Sequence, residues 1–399
     1  MIKTLSQSAV LAPVKIDQFL QQYWEDQTLH IQRSDTHFFD SYLSLGSYMS
    51  AFDSAELRYP DVQLTQHSKQ IDKHQYSDTS NNIVRDQAWA LHEAGASIVW
   101  AHAHKSISGL QELCRNTTAS LMLPSQANVY YSPPGFQGFN AHYDSHDVFI
   151  LQISGQKTFR LYENNLLLPF SEERFSKQEH SAGAIVEELV LNAGDTLYIP
   201  RGVFHDAIAS DDVASLHVTL GVYAQTKADL VHRLFDLTVA KNPRWRESIP
   251  VRFDDQAGGV DVTDDWLEPA ELSAIAPPEL VQRAYSSLHD DVALDSADLA
   301  DTALQNATPI QAIGVDDGIR VQIGSVLNWE ASESSVRLRL FGRVIEFNDP
   351  LAGGVDWLLS EAGKDTEKVF YPHEIPDLTN EQRIALCMQL IHEYVIFTV

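Results

Sequence analysis

The sequence is poor in cysteine, in basic residues and in long apolar runs. Its two cysteines, Cys114 and Cys387, are far apart in the chain, which argues against a disulfide framework or a cysteine-rich zinc site and suits a reducing compartment. No apolar run reaches the length that crosses a bilayer, and residues 1–13 lack the apolar core of a signal peptide. We therefore expect a mature cytoplasmic protein without a membrane partner.

Acidic residues greatly outnumber basic ones. The chain of 399 residues has 55 Asp and Glu against 28 Lys and Arg, which gives a formal net charge of -27. A surface of this charge repels phosphate backbones, so we expect no direct binding to DNA. The acidity instead favours solubility, or attraction to a basic protein or peptide.

Short strands dominate the middle of the chain. Residues 127–223 contain the runs "NVYYS", "DVFILQI", "KTFRLY", "TLYIP" and "LHVTLGVY", separated by Gly and Pro turns. Many short strands with such turns predict an antiparallel barrel or sandwich. The polar stretch from Ser54 to Asp86 predicts a loop-rich segment.

The length of the chain favours more than one domain. We expect a first domain over residues 1–224 and a helical region over residues 225–300, where leucines recur at helical spacing. Residues 301–399 combine the alternating run "VRLRLFGRVIEF" with helices, one of them opened by a capping box of Thr379 and Gln382. A mixed α+β chain with a winged-helix-like C-terminal domain is therefore predicted.

The segment "NAHYDSHDVFILQISGQKTFRLY" places His142 and Asp144 two positions apart. On a strand such residues point to the same face, so an imidazole and a carboxylate can reach one metal ion. His205, after a strand and a Pro-Arg-Gly turn, is the best candidate for a third ligand, and His217 is the alternative. Two histidines and one carboxylate leave coordination positions open, as in non-haem Fe(II) oxygenases, where a 2-oxo acid and O2 bind.

Other residues near this segment have two interpretations each. His102 and His104 in "AHAHK" share a strand face and could bind metal, but without a third partner we interpret them as structural or surface residues. Arg201 either orients a carboxylate or caps a turn. Three aromatic residues either line a substrate groove or pack in the core. They are Tyr130, Tyr131 and Tyr143.

Several segments resemble one family over nearly the whole chain. "FLQQYWEDQTLHIQR", "NVYYSPPGFQGFNAHYDSHDVFILQISGQKTFRLY" and "AGDTLYIPRGVFHDA" resemble the Jumonji C group of 2-oxoglutarate oxygenases, and within it the ribosomal oxygenases. "RESIP" and the C-terminal unit resemble that family's helical dimerisation region and winged-helix domain. The resemblance implies a double-stranded β-helix, or cupin-type, barrel in residues 1–224 and a homodimer.

The resemblance also implies roles for particular residues. The iron ligands would be His142, Asp144 and His205. Three further residues would contact 2-oxoglutarate near its distal carboxylate: Lys157 as the ion pair, Asn128 as a donor and Thr219 through its hydroxyl. No catalytic residue is expected beyond the metal centre.

The function implied is an Fe(II)- and 2-oxoglutarate-dependent dioxygenase that hydroxylates a side chain of a basic protein, a ribosomal protein by resemblance. One alternative is N-methyl-lysine demethylation by the same chemistry, which releases formaldehyde. Another is a cupin-fold interaction module without turnover. A metal-dependent isomerase of the cupin class would not need 2-oxoglutarate, and Lys157 argues against it. The regions 57–86 and 163–188 border the expected substrate entrance and leave the substrate open.

Overall fold

The structure is a computed structural model, and it describes residues 2–3, 9–67, 69–136, 139–163, 166–239, 243–246, 252–254, 259–261, 278–300 and 313–399. Met1–Ala224 and Ser296–Val399 together form one compact unit, and Gln225–Asp295 forms a second. The division into three domains stays a prediction. Within the described residues, no helix is both long enough and apolar enough to span a membrane.

The barrel region begins with helices and short strands, and longer strands follow. The helices are α1 (Ile16–Gln22), α2 (Leu45–Ser54), α3 (Arg85–Glu93) and α4 (Ser108–Leu121). Strand β1 (Ile2–Lys3) belongs to the C-terminal sheet described below. The early strands of the barrel region are β2 (Leu29–Ile31), β3 (Val62–Gln66), β4 (Lys69–Gln70) and β5 (Ser97–Trp100). The later strands are β6 (Ser125–Ser132), β7 (Asp147–Ser154), β8 (Gln156–Tyr162), β9 (Ile185–Asn192), β10 (Thr196–Ile199), β11 (His205–Ala209) and β12 (Ser215–Val222).

Two antiparallel sheets form the barrel. The larger has the order β2-β10-β7-β12-β6-β5-β3-β4 and the smaller β11-β8-β9. Alternate side chains of facing strands bury against each other between the sheets, because the side-chain period of a strand is two. This core includes Val148 and Ile150 from β7, Phe159 and Leu161 from β8, and Leu191 from β9. The predicted antiparallel barrel of residues 127–223 is confirmed.

Residues 54–86 are rich in loops, as predicted, but they also contain β3, which pairs with β5 and extends the larger sheet. Val62 and Leu64 are fully buried on one face of β3, and the polar Gln63 lies between them. His102 and His104 do not share a strand face. They lie at a tight helical turn after β5, where His102 has a left-handed backbone with φ 51°.

The second unit contains the helices α5 (Lys227–Val239) and α6 (Pro278–Asp295) and the short hairpin β13 (Arg252–Asp254) and β14 (Gly259–Asp261). The helical character predicted for this region is present in the described residues. The motif "RESIP" lies outside them except for its first residue. The dimerisation role of residues 225–300 stays a prediction.

The C-terminal residues form a small mixed unit. Its elements are β15 (Ile319–Val321), β16 (Val326–Ala331), β17 (Ser335–Leu340), β18 (Arg343–Asn348), α7 (Ala352–Ala362), α8 (Asn380–His392) and β19 (Ile396–Thr398). A sheet of order β1-β16-β17-β18 packs over an apolar cluster that includes Trp329 and Leu358. The capping box that opens α8 is confirmed, because Thr379 and Gln382 exchange hydrogen bonds of 3.3 and 2.8 Å. The winged-helix assignment stays a prediction.

Candidate metal centre

Three side chains converge at the open end of the barrel. One ligand atom from each of His142, Asp144 and His205 lies within 4.8 Å of the others. Nε2 of His205 is 3.7 Å from a carboxylate oxygen of Asp144, and the two imidazole centroids are 4.7 Å apart. The structure thus brings together the three ligands that the sequence predicted.

The backbone fixes which imidazole nitrogens face the site. Nδ1 of His142 donates to the carbonyl of Asn140 at 2.9 Å, and Nδ1 of His205 donates to the carbonyl of Val203 at 3.0 Å. Since a carbonyl only accepts, Nδ1 must carry the proton in each ring. Both Nε2 lone pairs are therefore available to a metal ion, and such outer hydrogen bonds are the usual means of orienting ligating histidines.

The local fold explains why the ligands meet. His142 and His205 form an isolated antiparallel bridge with backbone hydrogen bonds of 3.0 and 2.8 Å. The N–H of Gly202 donates to the carbonyl of Asp144 at 2.9 Å, which ties the Pro-Arg-Gly turn to the same segment. The expectation that His142 and Asp144 lie on a strand is corrected, because β7 begins only at Asp147. The side chains of His142 and Asp144 nevertheless face the same site, as their spacing of two residues predicted.

Electrostatics favour the protonation states that bind a cation. Burial alone would raise the pKa of Asp144, but the imidazoles of His142, His205 and His146 outweigh it, so the pKa of Asp144 lies below its usual value. Burial, and then the neighbouring His142, lower the pKa of His205 to about 4. A carboxylate and a neutral imidazole are therefore present at neutral pH, as metal binding requires.

A cavity with an empty volume of about 570 Å³, mouth included, opens beside the ligands. Lys157 lines it from β8 and is only 3% exposed. Its Nζ donates to Oγ of Ser132 at 3.1 Å, and Ser132 also accepts from Oγ of Ser97 at 3.0 Å. Burial lowers the pKa of Lys157 to about 7. A buried ammonium group in the wall of a cavity fits an anionic ligand.

The other two predicted contacts are placed differently. Thr219 lies on β12 and lines the cavity, 8% exposed. Asn128 lies opposite it on β6 but is not among the cavity-lining residues. Its Oδ1 accepts from the backbone N–H of His102 at 2.9 Å. The roles of Lys157, Asn128 and Thr219 toward 2-oxoglutarate stay predictions.

His217 belongs to the wall of the cavity and is not part of the ligand cluster. It stacks on Tyr130, with ring centroids 4.9 Å apart and an interplanar angle of 5°. Burial, and then the charge of Lys157, place its pKa well below the usual range, so it is neutral. Sequence reasoning missed Ser97 and Ser132, which carry no motif and reach the cavity only because β5 and β6 are adjacent.

The remaining candidates have structural partners. Arg201 forms an ion pair with Asp147 at 3.1 Å and a second one with Glu25, so it orients carboxylates. His104 is buried and accepts from the N–H of Ala127 at 3.1 Å.

Among the tyrosines, Tyr130 lines the cavity. Tyr131 stacks on His92 with centroids 4.4 Å apart. Tyr143 points away from the ligands and donates to the carbonyl of Glu173 at 3.1 Å, in the segment between β8 and β9. The same segment places the ring of Phe175 6.3 Å from that of His142. The excursion after β8 therefore packs directly against the metal-binding segment.

The fold is a cupin-type barrel, and its three converging side chains are the two histidines and one carboxylate that non-haem iron sites use. The family model for the JmjC domain matches residues 104–230, which include all three ligands. Residues 104–230 therefore form a JmjC domain.

Within the family, the chain is similar to the ribosomal oxygenases. It is 30% identical over 325 residues to "Ribosomal oxygenase 1" of Rattus norvegicus, covering 71% of this chain and 51% of that protein. It is 31% identical over 238 residues to the "Bifunctional lysine-specific demethylase and histidyl-hydroxylase NO66" of Drosophila yakuba, covering 58% and 34%. The chain thus spans about half of the length of the first of these relatives and about a third of the second.

The fold is also similar to a bacterial one. The Escherichia coli ribosomal oxygenase YcfD matches with a TM-score of 0.52 and 16% identity, over 97% of this chain and 98% of that chain. That protein has been solved in complex with cobalt and 2-oxoglutarate.

Proposed function

We propose that this protein is an Fe(II)- and 2-oxoglutarate-dependent dioxygenase that hydroxylates a side chain of a basic protein. The observation that supports it most is one cavity that holds two imidazoles with free Nε2 atoms, one carboxylate and a buried ammonium group. The first three suit an iron ion with open positions. The ammonium suits the distal carboxylate of a dicarboxylic co-substrate.

Each residue of the site would have a separate role. His142, Asp144 and His205 would hold Fe(II), which with 2-oxoglutarate and O2 supplies the oxidation of a substrate C–H, while 2-oxoglutarate becomes succinate and CO2. Lys157 would bind and orient the co-substrate, with Thr219 and Asn128 adding hydrogen bonds. The rings of Tyr130, Phe139 and Phe159 line the same cavity and exclude water from it.

The substrate we propose is a ribosomal protein. The net charge of -27 attracts basic partners and repels bare nucleic acid. A relative that this chain matches over 51% of its length is named "Ribosomal oxygenase 1". We further propose that the chain works in the cytoplasm as a homodimer through residues 225–300. Light scattering of the purified chain tests the dimer, and cell fractionation tests the location.

Succinate formation is the direct test of the chemistry. The wild type with Fe(II), 2-oxoglutarate and O2 should form succinate, and His142→Ala should form none above background. His37→Ala is the matched control, because His37 is an exposed histidine paired only with Asp40. If wild type and His142→Ala give the same background, the chain is a non-catalytic interaction module. The target is found by mass spectrometry of ribosomal proteins from cells with and without the protein, as a mass increase of one oxygen atom in one peptide.

Demethylation of N-methyl-lysine is the second candidate, because relatives such as the Drosophila yakuba protein are named as both demethylase and histidyl-hydroxylase. A hydroxylated N-methyl group falls apart to formaldehyde. Formaldehyde release from a methyl-lysine peptide, at a rate matching succinate formation, would favour this reaction. Succinate without formaldehyde, together with an oxygen retained on the peptide, favours hydroxylation.

A further inference from the structure

Four side chains outside the cavity form a buried polar cluster, which we call the Asp147 network: Glu25, Asp147, Tyr198 and Arg201. They come from three separate parts of the chain, namely the turn after α1, the first residue of β7, and β10 with the turn that follows it. None of them lines the cavity. The proposed reaction leaves them without a role.

Asp147 is the centre of the network and is completely buried. One of its oxygens accepts from Oη of Tyr198 at 2.7 Å and from the backbone N–H of Arg201 at 3.4 Å. The other accepts from the guanidinium of Arg201 at 3.1 Å. Arg201 also pairs with Glu25, and the N–H of Glu25 donates to Oη of Tyr198 at 2.9 Å. A buried carboxylate with this many donors is held in one orientation.

The network joins the two segments that carry the metal ligands. Asp147 lies three positions after Asp144, on the same segment as His142. Arg201 immediately precedes Gly202, whose N–H donates to the carbonyl of Asp144 at 2.9 Å. His205 follows three positions later and bridges back to His142. The Asp147–Arg201 contact therefore fixes the spacing between these segments beside the metal site.

We propose that Asp147 and Arg201 are positioning residues for the metal centre. They hold the segment before β7 and the turn after β10 together, so that the three ligands converge before an ion binds. This inference rests on the metal site in the proposed function. Ligands held within a fraction of an ångström bind an ion more tightly than ligands that must first be ordered, which is how residues outside the coordination sphere tune metal affinity.

The test compares two buried carboxylates in the same barrel. Asp147→Asn removes the ion pair while keeping the side-chain shape. Asp195→Asn is the matched control, because Asp195 is also buried and accepts backbone N–H groups, from Arg33 at 2.8 Å and Asn192 at 2.9 Å. It is not hydrogen-bonded to either ligand segment in the described contacts. Both variants are expected to lower the melting temperature.

Metal affinity separates the two roles. Titration of the metal-free full-length protein with Co(II), followed by its visible spectrum, should show roughly tenfold or greater weakening in Asp147→Asn and no change in Asp195→Asn. Tyr198→Phe, which deletes one hydroxyl and keeps the ring, should weaken binding in the same direction by a smaller factor. Tyr198→Phe still tests the inference if Asp147→Asn does not fold. Arg201→Lys retains the charge and should bind better than Arg201→Met.

The outcomes also separate this inference from the proposed function. If the wild type binds no Co(II), the metal site itself is wrong. The inference is overturned if the wild type binds Co(II) and if Tyr198→Phe and every folded variant of Asp147 bind it with the same affinity and the same spectrum. The network is then only structural.

Discussion

We predict that the buried amine of Lys157 makes the affinity for 2-oxoglutarate depend on pH near neutrality. Burial lowers the pKa of Lys157 from 10.5 to about 7 in the protein without co-substrate. An adjacent carboxylate favours the charged amine, so binding must raise that pKa and take up a proton above pH 7. We expect the dissociation constant to be nearly constant below pH ~6.5 and to rise about tenfold per pH unit above pH ~7.5.

The magnitude follows from the same shift. The difference between 10.5 and about 7 corresponds to roughly 5 kcal/mol, at about 1.4 kcal/mol per pH unit. At pH 8 only about one-tenth of the cavities without co-substrate carry a charged Lys157, so the affinity there should be about tenfold below that at pH 6.

Calorimetry with Co(II) in place of Fe(II), under anaerobic conditions, measures the binding without turnover. Titrations at pH 6, 7 and 8, in buffers of different ionisation enthalpy, give the affinity and the proton uptake together. Lys157→Arg is the control, because a guanidinium stays charged throughout this range and should abolish the pH dependence. A dissociation constant of the wild type that is flat from pH 6 to 8 would refute the reasoning.

Three further predictions concern stability. Because the pKa of Lys157 is lowered in the folded state, the unfolded state binds more protons between pH about 7 and 10.5. The free energy of unfolding without co-substrate should therefore rise with pH in that window. Lys157→Met should raise the free energy of unfolding at pH 7 by ~1–4 kcal/mol in urea titrations and should abolish binding of the co-substrate. Gly202→Ala should cost about 2 kcal/mol or more and weaken Co(II) binding, because φ is 84° and a Cβ would lie 2.3 Å from the carbonyl of Leu166; unchanged melting and unchanged titration would contradict this. Thr379→Ala should lower stability by about 1 kcal/mol through loss of the cap on α8, and Thr379→Ser should not.

The three candidate ligands could be predicted from sequence because their signal is local. His142 and Asp144 lie two residues apart in an extended segment, Lys157 follows a glycine turn with φ 69° at Gly155, and His205 follows the turn at Gly202. Each of these patterns reports backbone conformation directly. Their convergence was a hypothesis that only the pairing of His142 with His205 could establish.

What the sequence could not show depends on contacts between distant segments. The membership of β3 in the larger sheet depends on its pairing with β5, which is a contact between separate segments of the chain. The partners of Arg201 are 54 and 176 residues away in the chain, so turn capping and carboxylate binding could not be distinguished. The turn at His102 depends on the side chain of Asn128, which accepts its N–H. Such contacts have no periodicity to read.

The pairing of β1 with β16 has a consequence for the order of folding. Ile2 lies opposite Glu330 and Lys3 opposite Trp329, so the sheet of the C-terminal unit takes its edge strand from residues 2–3, which precede the whole barrel in sequence. On a translating ribosome β1 has no partner until β16 has emerged. The barrel can close earlier from strands nearer in sequence, and the pairing of β1 with β16 forms after it.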